Sequence, residues 1–123
     1  MKIVSPNTVA QYNKDIFSRN ILFHSEIVRI SEECFKQNIR LILLKGTAMI
    51  EMFPEYSFER ELEDIDVLVE KKVYKKFKKL LSELGYEEVL CDPHAMFNKQ
   101  KNVQIDIETK LWYLNEKENK KVI

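Results

Sequence analysis

The chain has 123 residues, enough for one domain with a modest core but not for two. Its 20 Lys and Arg residues balance its 20 Asp and Glu residues, so the formal net charge of zero excludes a general electrostatic attraction to nucleic acid or anionic membranes. Charged residues make up 33% and hydrophobic residues 45%, which is typical of a globular domain and excludes wholesale disorder.

The first predicted elements are a long helix and a strand. Ser5 and Pro6 are typical of a helix N-terminus, and the helix is expected to reach about Gln37. Mostly apolar residues that recur at three-, four- and seven-residue steps predict which side of the helix faces the core. The row contains one histidine, which is expected to be partly buried and to pack rather than to bind a ligand. The row comprises Phe17, Ile21, His24, Val28 and Phe35, widened by Ile27, Ile30 and Cys34. The β-rich run IRLILLKG then predicts a strand over residues 39–45.

The middle of the chain predicts a short helix, a loop and a second strand. TAMIEMF, residues 47–53, gives about two helical turns that end before Pro54. Residues 55–63 are polar and are expected to form a loop. IDVLV, residues 65–69, is an apolar run with one acid and predicts a strand.

The last third predicts a helix followed by strands. Apolar residues at helical spacing within 71–84 indicate an amphipathic helix, and the six lysines between 71 and 79 lie off that stripe, which favours a solvated face over a nucleic-acid site. YEEVL, HAMFN and VQIDIE are expected to be three short strands, the last two forming a hairpin across KQKN. The tail from Thr109 predicts a short helix carrying Leu111, Trp112 and Leu114.

These elements predict an α+β fold, a mixed sheet with helices packed mainly on one face. Residues 1–123 are expected to form a single domain, with an N-terminal helical part over 1–37 and a core over 38–112. No stretch approaches a membrane helix or a signal-peptide core, and Cys34 and Cys91 show no metal-binding spacing. A cytoplasmic location without a membrane partner is therefore expected.

Three acids with matching strand parity are the candidate chemical centre. Asp64 and Asp66 share one side of the second strand, about 6.6 Å apart, while Ile65 and Val67 face the other side. Asp106 has the same outward parity in VQIDIE. If the two strands are neighbours at about 4.8 Å, Asp106 can reach the pair. Three such carboxylates can hold two Mg²⁺ ions for phosphoryl transfer, and a cation removes their mutual repulsion.

A second candidate lies where the first strand meets the short helix, at Lys45, Gly46 and Thr47. Glycine allows a phosphate to approach the backbone, the helix N-terminus offers unpaired N–H groups, and Thr47 carries a hydroxyl donor. This arrangement suits the β- and γ-phosphates of a nucleotide. Glycine at a strand-to-helix turn also has a purely geometric explanation, and that alternative stays open.

Residues 43–69, LLKGTAMIEMFPEYSFERELEDIDVLV, resemble the signature of the nucleotidyltransferase superfamily, the fold shared with DNA polymerase beta and kanamycin nucleotidyltransferase. More narrowly, the layout is similar to an uncharacterised nucleotidyltransferase family with Lys-Gly, Arg and Asp-x-Asp motifs, over roughly residues 38–112. The residues that carry the narrower resemblance are Lys45, Gly46, Phe53, Pro54, Arg60, Asp64 and Asp66, with His94 and Asp106 further along. Thr47 stands where the superfamily has serine, and Glu108 where the narrower family often has histidine.

The resemblance implies transfer of a nucleoside monophosphate from an NTP, with ATP as the expected substrate, to a hydroxyl on a small molecule or protein. Asp64 and Asp66 would bind Mg²⁺, and Asp106 would bind metal and act as base. The residues expected to bind the phosphates are Gly46, Thr47, Lys45 and Arg60. For Lys45 and Arg60, a role in an exposed salt bridge is an equally supported alternative to phosphate binding.

Two other interpretations of the sequence stay open. One is a catalytically inactive module of the same fold that binds a nucleotide or a partner, in an antitoxin-like or regulatory role. The other is a generic domain with surface carboxylates. Only 17 residues follow Asp106, whereas most relatives of this fold continue into a helical region. Three interpretations of this short end stay open: a minimal domain, a truncated relative, or one half of an assembly in which a second copy or a separate helical partner completes the cleft.

Overall fold

The computed structural model describes residues 6–55, 62–110 and 117, with side chains from residue 14 onward. Within them the chain forms three α-helices and five β-strands. In chain order the elements are α1 (Pro6–Lys36), β1 (Ile42–Leu43), α2 (Lys45–Met52), β2 (Ile65–Leu68), a 3₁₀ turn (Lys71–Val73), α3 (Tyr74–Glu83), β3 (Glu87–Val89), β4 (Asp92–Asn98) and β5 (Val103–Glu108). Ser5, residues 56–61 and the predicted tail helix at Leu111, Trp112 and Leu114 lie outside the described residues.

The five strands form one mixed sheet in the order β1-β2-β5-β4-β3. β2 and β5 run parallel, whereas the other neighbouring pairs are antiparallel. The predicted hairpin is confirmed, because β4 and β5 pair in register from Asn98 opposite Val103 to Ala95 opposite Asp106. The predicted α+β class with a mixed sheet is therefore confirmed.

Strand alternation places one face of the sheet in the core. In β5, residues 103, 105 and 107 are buried and residues 104, 106 and 108 are only partly covered. The buried face joins α1 and α3 in one apolar cluster, as expected for helices packed on one side of a sheet. The strand and helix residues of this cluster include Phe23, Ile27, Ile30, Cys34, Ile65, Val67, Phe77, Leu80, Leu81, Met96, Val103, Ile105 and Ile107.

The face of α1 that enters the core differs from the expectation. Ile21, Val28 and Phe35 are 52%, 41% and 88% exposed, so the predicted main row lies largely outside the core. The buried side is instead the row that was expected only to widen it, completed by residues 16 and 23. Both rows satisfy helical spacing, so periodicity alone does not decide which one packs against the sheet.

His24 is also placed differently from the expectation of a packing histidine. It lies on the exposed side of α1, with 58% of its side chain accessible. Its Nδ1 is 2.8 Å from Glu51 Oε1 on α2. His24 therefore links two helices at the surface and is not part of the apolar core.

The first strand is much shorter than predicted. Asn38 closes α1 in the left-handed region with φ of 59°, and Ile39 donates its N–H to the Cys34 carbonyl at 2.8 Å. Strand pairing covers only Ile42–Leu43, because Lys45 turns to a φ of 51° and begins α2. The prediction of a strand over residues 39–45 was wrong at both ends.

A buried carboxylate ties α1 to the rest of the chain. Glu26 is fully buried and accepts hydrogen bonds from Tyr86 Oη, Lys101 Nζ and Arg29 Nη2, each at 2.7 Å. Arg29 also donates to the Leu84 carbonyl at 3.0 Å. This network connects α1 with the end of α3 and with the β4–β5 turn.

None of the helices that the structure describes has the length and apolar character required to cross a lipid bilayer.

Candidate active site

The three predicted acids come together on the sheet face opposite the apolar cluster. β2 and β5 are adjacent and parallel, and Asp66 pairs directly with Asp106. The flanking pairs, Ile65 with Ile105 and Val67 with Ile107, point to the core, so both aspartates point away from it. Asp64 follows the same parity one step before β2, and the neighbouring Asp106 carboxyl is one of the groups that raise its pKa.

Burial makes Asp64 and Asp66 unusual acids. Burial, followed by the neighbouring Asp106 carboxyl, raises the pKa of Asp64 to about 6 from an ordinary value of 3.8. Burial also raises the pKa of Asp66, and the ammonium of Lys45 offsets part of that rise. Ionisation of these carboxyls therefore lowers the free energy of unfolding of the protein, and a positive charge bound beside them would reduce that cost.

Lys45 supplies positive charge at this face. Its Nζ lies 3.4 Å from Glu108 Oε1 and 3.8 Å from Asp66 Oδ1. Asp66 contributes most to raising the pKa of Lys45, and Glu108 contributes further. The lysine side chain is nevertheless 63% exposed, so its ammonium reaches the acids from the solvent side.

Gly46 and Thr47 are buried in the first turn of α2, next to β2. Thr47 Oγ1 accepts the N–H of Asp66 at 3.0 Å and donates to the Asp64 carbonyl at 3.4 Å. The hydroxyl therefore fixes the backbone on which both aspartates sit. The N–H groups of this first turn have no partner within the helix, as at any helix start.

An open groove of about 460 Å³ is lined by Asp106 and Glu108 of β5 and by Lys45. Gln104 on its wall donates from Nε2 to Asp106 Oδ1 at 3.0 Å and so orients that carboxylate. His94 also lines the groove, and its ring centroid is 6.0 Å from that of Tyr74. The full lining comprises Lys45, Asp92, His94, Gln104, Asp106, Ile107, Glu108, Thr109 and Lys110.

The structure thus gathers six of the seven predicted site residues, and Arg60 lies outside the described residues. Two contacting residues were not predicted to belong to the site: Gln104, which holds Asp106, and Glu108, which pairs with Lys45. Both residues alternate with the apolar residues of VQIDIE, as Asp106 does, and this pattern could have placed them on the same face as Asp106. Sequence alone could not reveal their partners, because both contacts depend on chain segments that meet only in the fold.

The donor chemistry of this face suits a hard divalent cation such as Mg²⁺, which takes carboxylate oxygens. In the part of the chain that the structure describes, no group of three or more His, Cys, Asp or Glu side chains is arranged to hold one metal ion. The Lys45 ammonium stands close to two of the carboxylates in this arrangement. The residues fit such a cation by donor type, and ligation requires the ammonium and the carboxylates to rearrange.

Comparison with known proteins gives a match to one family model. The model of a family described as uncharacterised nucleotidyltransferase matches residues 5–122, a range that contains α1 as well as the sheet and the acids. No curated protein and no solved structure matches the chain. The family match supports a general role in nucleotidyl transfer. With nearly the whole sequence inside the matched range, the chain belongs to the uncharacterised nucleotidyltransferase family.

Proposed function

We propose that the chain is a metal-dependent nucleotidyltransferase that moves a nucleoside monophosphate from an NTP, ATP in the first instance, to a hydroxyl on a small molecule or protein. The observation that carries this proposal is the in-register pairing of Asp66 with Asp106 on parallel strands, inside the range of the family match. A module that only packs against partners has no need for paired, partly buried acids whose charge opposes folding.

In this proposal the carboxylates of Asp64, Asp66 and Asp106 hold Mg²⁺. When bound, the cation neutralises charge on the phosphates and on the acids that surround it. Gly46 and Thr47 receive the triphosphate on the N–H groups of the first turn of α2. The Thr47 hydroxyl keeps β2 in place beneath it, as its two backbone contacts indicate. Lys45 and Arg60 balance phosphate charge.

The transfer step needs a base at the acceptor. The acceptor oxygen forms a bond to the α-phosphorus, the bond from that phosphorus to its bridging oxygen breaks, and pyrophosphate leaves with the electron pair. Asp106 takes the acceptor proton, and Gln104 holds the Asp106 carboxylate in position through its 3.0 Å hydrogen bond. The groove beside these residues offers space for the acceptor. Most of the rate gain then comes from positioning and charge neutralisation.

Calorimetric titration with a non-hydrolysable ATP analogue tests the proposal. Wild-type protein is expected to bind the analogue in Mg²⁺ and to lose binding in EDTA. Asp66→Asn and Asp106→Asn should each weaken binding by about a hundredfold or more, because each removes a charged ligand. Glu88→Gln serves as the control, since that acid is 76% exposed on β3 and pairs with Lys78. An affinity for the analogue that changes neither on removal of Mg²⁺ nor in the two asparagine variants would contradict the proposal.

A second measurement separates an active enzyme from a binding module of the same fold. ATP labelled at the α-phosphate is supplied with candidate hydroxyl acceptors, and labelled product and free pyrophosphate are quantified together. Equal amounts of both indicate transfer. Mg²⁺-dependent binding with neither product would favour the inactive module.

We also propose that the protein works in the cytoplasm and that a second copy or a helical partner completes the groove. Both cysteines are free thiols, and Cys91 is exposed, which fits a reducing compartment. Sedimentation at high concentration tests self-association, and a monomer throughout would leave the helical partner as the remaining candidate.

A further inference from the structure

Lys45 pairs with acids that are distant in the chain, as Lys101 does with Glu26, whereas the nearest paired lysines on either side of it bind local acids. Lys36 pairs with Glu33 on the same helix, and Lys72 pairs with Glu70 two residues away. Such local surface pairs contribute roughly 0–1 kcal/mol. Lys45 instead reaches across to two strands, where its partners are acids of the candidate active site.

The local backbone does not favour a lysine at this position. Lys45 has a φ of 51°, a left-handed conformation that a residue with a Cβ adopts at a cost of about 1–2 kcal/mol. It also begins α2, and a cation at a helix N-terminus opposes the helix dipole. The favourable contacts that the structure gives this side chain are those to Asp66 and Glu108.

Those contacts place one positive charge beside Asp66 and Glu108, and Asp66 is itself paired with Asp106 on the neighbouring strand. A divalent ion approaching Asp66 meets a resident ammonium 3.8 Å from the same oxygen. At such separations like charges repel by amounts large enough to change affinity severalfold even with strong screening. The exposed four-carbon stem of Lys45 leaves the ammonium free to turn toward another anion.

We propose that Lys45 is a displaceable counter-ion: it neutralises Asp66 and Glu108 in the nucleotide-free protein, disfavours a divalent ion there, and moves onto the phosphates when an NTP binds. The inference rests on the proposed function and adds an order of events to it. The polyphosphate arrives together with its cation, draws the ammonium away and thereby frees Asp66 for ligation. In the absence of nucleotide, a free cation binds this site weakly.

Electron paramagnetic resonance of free Mn²⁺, titrated into the full chain, tests this without any assay of turnover. Lys45→Met is expected to bind Mn²⁺ about tenfold more tightly than wild type in the absence of nucleotide. In the presence of a non-hydrolysable ATP analogue, that advantage should disappear, because the wild-type ammonium has already moved. Lys45→Gly removes the same charge and relieves the left-handed backbone, so it guards against a folding defect and should show the same gain.

Lys110→Met is the matched control. Lys110 lines the same groove and loses the same charge on substitution, but it forms no ion pair with the described acids. Its Mn²⁺ affinity should stay within about twofold of wild type. An equal gain for Lys110→Met and Lys45→Met would overturn the proposal in favour of a general charge effect.

Two further outcomes separate the inference from the proposed function. If wild type and both Lys45 variants bind Mn²⁺ with the same affinity, the counter-ion role is overturned while the metal site stands. If no variant binds Mn²⁺ with or without the analogue, both the counter-ion role and the metal-dependent function fail.

Discussion

Asp66 and Asp106 are directly paired residues on neighbouring parallel strands. The apolar pairs on either side of them hold both strands to the core, so the carboxylates cannot separate by a shift in register without burying the wrong face. The fold thus enforces a repulsion that a free chain would avoid. Burial, followed by the neighbouring Asp106 carboxyl, raises the pKa of Asp64 to about 6.

We predict that Asp64→Asn stabilises the metal-free protein. Since the folded state binds the Asp64 proton more tightly than the unfolded chain, wild-type stability in EDTA should fall as pH rises from about 4 to about 6. The variant should lack this part of the fall and should be more stable at pH 7 by about 1 kcal/mol, after allowance for solvent screening.

Urea unfolding between pH 4 and 8 measures this effect. Glu87→Gln is the control, because that acid is 66% exposed on β3 and pairs with Lys99. A variant whose pH profile runs parallel to wild type would show that burial and the neighbouring carboxyl do not raise the pKa of Asp64 in the folded state.

The sequence could predict the acid cluster because the strands that carry it alternate cleanly. VQIDIE has three apolar residues on one side and three polar residues on the other, so parity alone aligned Asp106 with Asp64 and Asp66. Parity could not show that β2 and β5 are neighbours, and this pairing, which brings Asp66 beside Asp106, is known only from the fold.

The face of α1 could not be predicted in the same way. The helix carries apolar residues on more than one side, and Ile27 and Val28 each belong to a row with helical spacing. Position relative to the sheet decides between the rows. The contacts of Lys45 and Thr47 were equally out of reach, because they join residues about twenty to sixty positions apart in the chain.

We predict opposite outcomes for alanine at two adjacent positions of α1. Ile27 is 6% exposed within the apolar cluster, so Ile27→Ala should cost about 2–5 kcal/mol by loss of buried surface and creation of a cavity. Val28 is 41% exposed, so Val28→Ala should change stability by no more than about 0.5 kcal/mol. Thermal unfolding of both variants decides which face packs, and a larger loss for Val28→Ala would reverse the assignment.

Thr47 allows a test of whether its hydroxyl supports β2. In Thr47→Val the N–H of Asp66 loses its acceptor in a partly buried position, which should cost about 1–3 kcal/mol. Thr47→Ser keeps the hydroxyl and should retain most of the stability. Valine replaces the hydroxyl by a methyl group of similar size, so the loss of stability from wild type to Thr47→Val in urea unfolding reports the hydrogen bonds to the strand. Thr47→Ser gives the separate cost of the lost methyl group. Equal stability of the valine and serine variants would remove this role.

Glu26 should make the fold sensitive to acid in the opposite direction from Asp64. Burial alone would raise the pKa of this carboxyl, but its hydrogen bonds outweigh burial and lower the pKa below the ordinary value of 4.5. A lowered folded-state pKa means that the network stabilises the protein above about pH 4.5 and that this stability is lost as pH falls through the folded-state pKa.

Glu26→Gln should therefore lose about 2–4 kcal/mol at pH 7, because it leaves the guanidinium of Arg29 and the ammonium of Lys101 without their shared anion. The loss relative to wild type should begin to shrink as pH falls below about 4.5, where the unfolded chain takes up the proton, and should shrink further below the lowered folded-state pKa, where the carboxyl of the folded protein also becomes neutral. Urea unfolding at pH 7 and pH 3 measures both values. Glu33→Gln, which breaks only a surface pair with Lys36, is the control and should change little at either pH. A Glu26→Gln loss that stays constant with pH would mean that the side chain acts through its shape rather than its charge.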